Sequence, residues 1–295
     1  MLAAGEVGNQ LWDYEDRPLS WDAWDIDVFH DDRAEMISKA SAVELIEVNP
    51  LRASVQIERK YRNSSIVQTL RLKAGSPRLD IETIADWQEK HVLLKAAFPV
   101  AVLSPKATYE IQWGEIERST HSNTSWDYAQ FEVPAQKWAS LDEGGFGVAL
   151  LNDCKHGCSI RDNVVQLTLI KSSTSPDPNA DQGYHAFTYA LMPHASDLRS
   201  VREEARRLNN PVKIVNAKPV SPLVHTDADN VIIETLKPAD DGNGFIVRLY
   251  ESQRRRGEVE PPPLKWSAPI VRKRRIEHGN QTTQAGRDCH EVTAG

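Results

Sequence analysis

The densest group of chemically reactive side chains lies in residues 152–163, NDCKHGCSIRDN. Cys154 and Cys158 are four positions apart, so on one extended strand their side chains would share a face about 13 Å apart. A structural zinc site needs four close ligands, and a cysteine nucleophile needs a histidine within hydrogen-bond reach and a third group that orients it. Only His156 is near in sequence. We therefore predict a turn between two strands, with KHG at its tip, and treat a metal or thiol site as a minor alternative.

The acidic, tryptophan-bearing opening, residues 12–32, offers two further chemistries. Calcium loops place oxygen ligands at alternate positions and use a glycine for the sharp turn. Asp25 and Asp27 alternate, but no glycine follows them. The rings of Trp12, Trp21 and Trp24 have faces on which a sugar can stack. Because tryptophan is usually substantially buried, we predict instead a long loop that pins these rings onto a sheet.

The segment HSNTSWD, residues 121–127, combines His121, Asn123 and Asp127 with an aromatic ring. Polar groups beside an aromatic ring suit a sugar, which has hydroxyls on its edge and C–H groups on its face. In the competing interpretation, which we favour, the polar side chains of this loop bond their own backbone. The three polar residues stay candidate carbohydrate contacts.

The segment PDPNADQGYHAFTYALMPH, residues 176–194, is the strongest candidate. Two prolines stiffen a loop that carries two acids, and a strand follows in which His185 points to one side. Gly183 would allow a ligand to approach the backbone closely. We hypothesise that Asp181, Gln182 and His185 form an outer wall of a sugar site. The alternative is a loop that is hydrogen-bonded to itself.

Alternating apolar and polar residues predict the elements that position these candidates. Within residues 43–103, the runs ASVQIER, IVQTLRL and LDIET alternate between turn signals. Further strand-like runs occupy residues 107–119, 146–153, 163–172 and 184–193. Long strands without intervening helices predict an all-β fold built as a large antiparallel sandwich.

One helix is predicted in SDLRSVREEARRLNNP, residues 196–211. Ser196 can cap it, and Leu198, Val201, Ala205 and Leu208 fall on one face. We expect this helix to cross a sheet edge as a connector.

The chain divides into four parts by pattern. Residues 1–210 form the sandwich and residues 211–229 a linker. Residues 230–256 form part of a small β domain that opens with a hairpin around the turn DDGNG. Residues 257–295 are basic, proline-bearing and aperiodic, and are expected to be disordered.

Composition argues against two classes of partner, nucleic acids and membranes. The 295 residues carry a net charge of −7, which argues against nucleic acid as a partner. No apolar run reaches the roughly 18 residues of a membrane helix, so no membrane partner is expected. We see no signal peptide, and three cysteines fit a reducing compartment, so a cytoplasmic or vacuolar location is expected.

Five ordered motifs resemble the C-terminal half of the α-mannosidases of glycoside hydrolase family 38, in the branch of the fungal vacuolar and many bacterial enzymes. They are GNQLWDYEDRPLSWDAWDID, DWQEKHVLLKAAFPV, ERSTHSNTSWDYAQFEV, FGVALLNDCKHGCSI and PDPNADQGYHAFTYALMPH. The resemblance covers residues 5–256 and implies a galactose-mutarotase-like super-β-sandwich followed by a small C-terminal β domain.

The resemblance also implies a chemistry and its place. In the family, an aspartate nucleophile and a divalent metal, usually zinc, lie in an N-terminal barrel and hydrolyse terminal α-D-mannosides with retention of configuration. None of the barrel motifs is present, and we expect the first strands of the sandwich to be missing too. We therefore assign no catalytic or metal-binding residue to this chain.

Three interpretations of function stay open. The leading one is the C-terminal module of an α-mannosidase, inactive alone, with an α-mannoside and the N-terminal barrel of the same enzyme as its partners. The second is a stand-alone carbohydrate-binding β-sandwich. The third is a non-functional gene fragment.

Overall fold

The computed structural model describes residues 1–212, 224–242 and 244–257, together with the backbone of His290–Ala294. Strands dominate these residues, and neighbouring strands with a defined register run antiparallel. In chain order the strands are β1 (Gln10–Glu15), β2 (Ala34–Met36), β3 (Ala42–Asn49), β4 (Arg52–Tyr61), β5 (Ser64–Lys73), β6 (Leu79–Trp87), β7 (Val92–Pro99), β8 (Lys106–Ile111), β9 (Gly114–Ser119), β10 (Val133–Pro134), β11 (Trp138–Glu143), β12 (Phe146–Asn152), β13 (Gly157–Arg161), β14 (Val164–Lys171), β15 (Gly183–His194), β16 (Val231–Pro238), β17 (Phe245–Glu251) and β18 (His290–Ala294). The α-helices are α1 (Ser125–Tyr128) and α2 (Leu198–Asn209), and a 3-10 helix spans Val28–Arg33. The predicted all-β, antiparallel fold is confirmed.

The chain forms two compact units. The first contains residues 1–110 and 117–212, and the second contains residues 111–116 and 213–295. The tip of the β8–β9 hairpin thus clusters with the second unit, which the sequence did not predict. The predicted boundaries at 210, 229 and 256 stay predictions, and residues 213–223 of the predicted linker lie outside the described residues.

A nine-stranded sheet organises the first unit, in the order β3-β4-β5-β6-β15-β12-β11-β8-β9. The register places Val55 opposite Leu70, Leu70 opposite Ile81, and Ile81 opposite Tyr189. Ile81 and Tyr189 in the middle of this row are completely buried, whereas Leu45, opposite Val55 on β3, is 62% exposed. The alternation read from the sequence therefore marks a buried face that loses its cover toward β3.

A six-stranded sheet, in the order β10-β13-β14-β7-β1-β2, packs on that face. The ring of Phe98 on β7 meets the ring of Tyr189 edge-on, with centroids 6.3 Å apart. Beside this contact, Asn9 donates to Gln68, Gln68 donates to the Tyr189 hydroxyl, and that hydroxyl donates back to Asn9. A closed polar triangle thus sits in the apolar core with its hydrogen bonds satisfied.

The other side of β7 carries a buried ion pair that the sequence did not predict. Lys95 is only 1% exposed, and its Nζ lies 3.2 Å from Oε2 of Glu132. The ammonium also lies over the ring of Tyr14, 5.6 Å from the centroid. Phe131, Glu132 and the 3-10 helix lie on this side, where His30 contacts both Tyr14 and Phe131.

Helix α2 forms where predicted but differs in its cap and its place. Asp197 is the N-cap and accepts a hydrogen bond from the Arg199 amide, while the hydroxyl of Ser196, the predicted cap, accepts from Gly145. The apolar stripe does not cross a sheet edge. It covers the solvent side of β11, β12 and β15 in a cluster of Trp138, Ala149, Leu151, Ala190, Met192, Val201 and Ala205, with Leu198 and Leu208 alongside.

The second unit contains a three-stranded sheet in the order β16-β17-β18. The predicted hairpin is present as β16 and β17, and Trp113 meets Tyr250 edge-on at 5.7 Å. His290–Ala294 pairs along β17 as β18, and the expectation of disorder for residues 257–295 stays a prediction. Residues 258–289 and 295 lie outside the described residues. Among the described helices, none is long and apolar enough to cross a lipid bilayer.

Candidate functional site

The cysteine-bearing segment forms the predicted turn, at residues 153–156 between β12 and β13. Burial raises the pKa of Cys158 to about 12, and partial desolvation together with Asp153 raises the pKa of the more exposed Cys154 to about 11, so neither thiol is activated. Gly157 already belongs to β13, and a Cβ there would lie 1.7 Å from Oε1 of Glu132. A larger residue at position 157 would therefore have to displace the Glu132 carboxylate.

The segment with Asp181, Gln182 and His185 closes mainly on its own neighbours. Nε2 of His185 donates to the Asp181 carbonyl oxygen at 2.8 Å, and the side-chain amide of Gln182 donates to the Gln88 carbonyl oxygen at 3.4 Å. Asp181 stays exposed in a left-handed conformation (φ 56°). Gly183 also has positive φ (112°), and nothing lies within 4 Å of a Cβ built there. The positive φ is a conformational reason for glycine at this position, and the close approach of a ligand to its backbone stays a prediction.

The second predicted group surrounds the N-terminus of α1. Thr124 caps this helix, and its hydroxyl donates to the Asp127 carboxylate at 2.7 Å. This hydrogen bond is the first cause of the lowered pKa of Asp127, and Nδ1 of His121 lies 3.8 Å from the same carboxylate. Asn123 is exposed. The cavity beside His121 and Asp127 holds about 20 Å³, which is room for about one water molecule and too little for a sugar ring.

The two predicted groups do not form one site. Residue 183 begins β15, and the pairing β15-β12-β11-β8 makes β8 start at the opposite end of the sheet. The Thr120 amide bonds the Pro105 carbonyl oxygen at that far end. Hence His121, Asn123 and Asp127 lie across the length of the sheet from Asp181, Gln182 and His185. Both sets stay predictions as sugar contacts.

A polar cleft of about 450 Å³ adjoins the Asp181 segment, and its size lies within the range of small-molecule sites. Its lining joins residues far apart in sequence: Asp13, Glu15, Arg17, Arg33, Ala34, Glu35, Arg62, Lys90, His91 and Val92. Nζ of Lys90 donates to Asn179 at 3.3 Å, which ties the cleft to the loop before Asp181. Sequence reasoning missed this cleft.

Fixed charges line the cleft. Arg62 lies 2.8 Å from the Asp13 carboxylate, and Arg17 and Arg33 both hold Glu15. Burial raises the pKa of Asp13 against the opposing effects of Tyr61 and Arg62. The pKa of Glu15 is lowered, first by the hydrogen bond from Arg17. With both carboxylates paired to guanidinium groups, the cleft suits recognition of a polar ligand better than proton transfer.

Asp22 links the loop that carries Trp21 and Trp24 to Thr174 and Ser175. Its Oδ2 accepts hydrogen bonds from the Thr174 amide (2.7 Å), the Thr174 hydroxyl (3.2 Å) and the Ser175 amide (3.1 Å). Burial acts to raise the pKa of Asp22, but these hydrogen bonds and His91 outweigh it and leave the pKa lowered. His91 of the cleft wall lies 3.2 Å from the same Thr174 hydroxyl.

The predicted burial of the loop tryptophans is wrong for two of the three. Trp21 is 72% exposed and Trp24 is 71% exposed, whereas Trp12 is half-buried. Their carboxylate neighbours serve the loop: Asp25 accepts from the amide of residue 26, and Asp27 caps the 3-10 helix. No group of three or more metal-ligating side chains exists among the described residues.

Comparison with known proteins identifies the family to which the chain belongs. The family model "Glycosyl hydrolases family 38 C-terminal domain" matches residues 1–179, and "Glycosyl hydrolases family 38 C-terminal beta sandwich domain" matches residues 230–281. Alpha-mannosidase G of Dictyostelium discoideum is 40% identical over 263 residues, which are 84% of this chain and 24% of that protein. The alpha-mannosidase of Saccharomyces cerevisiae is 32% identical over 272 residues, 83% of this chain and 25% of that protein. The chain thus spans about a quarter of the length of these relatives.

A solved structure shows the same architecture. The alpha-mannosidase from Enterococcus faecalis superposes with a TM-score of 0.73 at 14% identity, covering 89% of this chain and 35% of that one. At this identity the likeness concerns the fold. Taken with the sequence matches, it shows that the chain belongs to glycoside hydrolase family 38, as a C-terminal β-sandwich region.

Proposed function

We propose that this chain serves as the C-terminal module of an α-mannosidase that hydrolyses terminal α-D-mannosides with retention of configuration. The observation that carries the proposal is the 40% identity over 263 residues to a protein named an alpha-mannosidase. In this proposal the catalytic barrel supplies the nucleophile and the metal, and the sandwich supports the barrel and walls its sugar cleft. We place the protein in the cytoplasm or the vacuole.

The zinc that the family implies does not fit the described residues of this chain. The described cysteines are not activated, and within the described ranges no group of three or more His, Cys, Asp or Glu side chains is placed so that it could hold a metal ion. No step of the proposed function therefore runs through a metal held by this chain. Purified alone, it is expected neither to cleave 4-nitrophenyl α-mannoside nor to bind zinc stoichiometrically.

We assign the binding of sugar to the end of the sandwich that carries Asp181. Asp181 is exposed, its segment is anchored by Gln182 and Asn179, and a cleft of ligand size lies beside it. A carboxylate on a braced loop can accept hydrogen bonds from sugar hydroxyls without a large ordering cost.

A chimera tests the proposal. The matching region of alpha-mannosidase G is replaced by this chain, and 4-nitrophenyl α-mannoside hydrolysis is measured. We expect the chimera to be active and Asp181→Ala to raise KM about 10-fold, as for the loss of a hydrogen bond to a charged group. Asp177→Ala is the matched control, because the Asp177 carboxylate bonds the amide of Asn179 within its own loop.

Two results would overturn the proposal. One is a folded chimera without mannosidase activity, and the other is hydrolysis by the isolated chain. An unchanged KM in Asp181→Ala would remove Asp181 from the sugar wall.

A further inference from the structure

We infer that Trp21 and Trp24 form an aromatic platform that binds a saccharide by stacking, beside the polar cleft. The two indole rings lie 6.4 Å apart at an interplanar angle of 74°, and each is more than two-thirds exposed. Two exposed indole rings side by side form a contiguous apolar surface, and contiguous exposed apolar surface marks binding sites more than isolated exposed residues do. Stacking of the C–H face of a pyranose on indole is the chemistry that such a pair offers.

The loop is built to hold both rings outward. Trp21 has φ 61°, a left-handed conformation that residues other than glycine seldom adopt. Its carbonyl oxygen accepts from the amides of Trp24 (2.7 Å) and Asp25 (2.9 Å), which closes a tight turn between the two rings. Strained backbone of this kind persists where the surroundings enforce it, and it concentrates at binding sites.

Long-range contacts then fix the turn to the body of the sandwich. Asp22, between the rings, accepts three hydrogen bonds from Thr174 and Ser175. Nζ of Lys171 donates to the carbonyl oxygen of Asp25 at 2.9 Å and also pairs with Asp16. A platform ordered before binding loses little entropy when the ligand arrives.

The chemistry around the rings favours a saccharide over a protein. The centres of protein interfaces are depleted in Asp and Glu. Here Asp22 and Asp25 directly follow the two tryptophans, and the cleft that Arg17 helps to line carries three further carboxylates. Carboxylates and guanidinium groups suit the hydroxyls of an uncharged sugar, whose C–H face the indoles take. The choice of an α-mannoside as the ligand rests on the proposed function.

Indole NMR of the full chain tests the platform. The chain has eight tryptophans, so ¹⁵N-labelled protein has eight indole signals to follow during titration with methyl α-mannoside and with α-mannan. We expect saturable shifts in the Trp21 and Trp24 signals, and a 3- to 10-fold weaker affinity, roughly, in each of Trp21→Ala and Trp24→Ala. Trp21→Phe is expected to keep most of the affinity because a ring remains.

Trp113→Ala is the matched control, since Trp113 is 40% exposed, also has positive φ (64°), and lies at the tip of the β8–β9 hairpin, outside both predicted groups of sugar contacts. Unchanged circular dichroism in all variants shows that they fold. The inference is overturned if the Trp21 and Trp24 signals do not shift, or if Trp113→Ala weakens binding as much as the platform variants do. An active chimera without indole shifts would defeat this inference alone, and shifts together with an inactive chimera would defeat the proposed mannosidase function alone.

Discussion

Replacing Asp22 by alanine tests how the candidate end of the molecule is held together. Oδ2 of Asp22 is the acceptor for two backbone amides and one hydroxyl on Thr174 and Ser175. A hydrogen bond to a charged group contributes about 1.5–3 kcal/mol, and the three share one oxygen, so their sum is far from additive. We expect Asp22→Ala to destabilise this local structure by about 2 kcal/mol.

Amide hydrogen exchange measures this loss of local stability at individual backbone amides. At pH 6, the protection of the Thr174 and Ser175 amides should fall roughly 30-fold, as 2 kcal/mol implies. Asp22→Asn keeps a neutral acceptor and should lose about half of that free energy. Asp25→Ala is the control, because the Asp25 carboxylate accepts from the neighbouring Ile26 amide at 2.9 Å.

The pH dependence has a definite sign. Because the pKa of Asp22 is lowered in the folded chain from 3.8, ionised Asp22 stabilises the fold above about pH 4. This contribution is lost as pH falls through the folded pKa, so the difference between the native chain and Asp22→Ala should shrink at pH 3. Unchanged protection in Asp22→Ala, or an equal difference at both pH values, would refute the reasoning.

Two further predictions concern buried groups. Glu132→Gln should destabilise the chain by about 3–5 kcal/mol in urea unfolding, because it leaves the Lys95 ammonium buried without its counter-charge. The double variant with Lys95→Met should recover most of that loss, and a double variant as unstable as the single one would contradict the account. In a background with Cys154→Ser and Cys289→Ser, thiol reagents at pH 8 should modify native Cys158 roughly 100-fold or more slowly than a free cysteine, since its side chain is buried and its pKa is raised to about 12. Rapid labelling would show that the thiol is accessible and ionised, and would contradict this prediction.

The strands and α2 could be predicted because their signals are local. Alternation depends on residues two apart, and the helix stripe on residues three and four apart. The N-cap was misassigned by one position because Ser196 and Asp197 are both good caps, and the hydrogen bond from Gly145 to Ser196 depends on the sheet. The covering role of α2 depended on the apolar face of β11, β12 and β15, which no local pattern locates.

The candidate site could be predicted only in part. The Asp181 loop was found because its prolines, glycine and acids are adjacent in sequence. The cleft was not found, because Asp13 on β1, Arg62 between β4 and β5, and His91 before β7 meet only when the two sheets come together. The exposure of Trp21 and Trp24 was mispredicted from the usual burial of tryptophan, since the turn that lifts them depends on Asp22 reaching Thr174.

The contacts made by Asp22 and Lys171 also bear on the order of folding. The bonds from Thr174 to Asp22 and from Lys171 to Asp16 close loops of 152 and 155 residues. Contacts of such sequence separation form slowly, because their loop entropy is lost before they contribute stability. The hairpins β3–β4 and β4–β5 close locally and can pair well before this end assembles. Far-UV circular dichroism therefore reports the strands, whereas a probe of Trp21 and Trp24 reports the final, long-range closure of the fold.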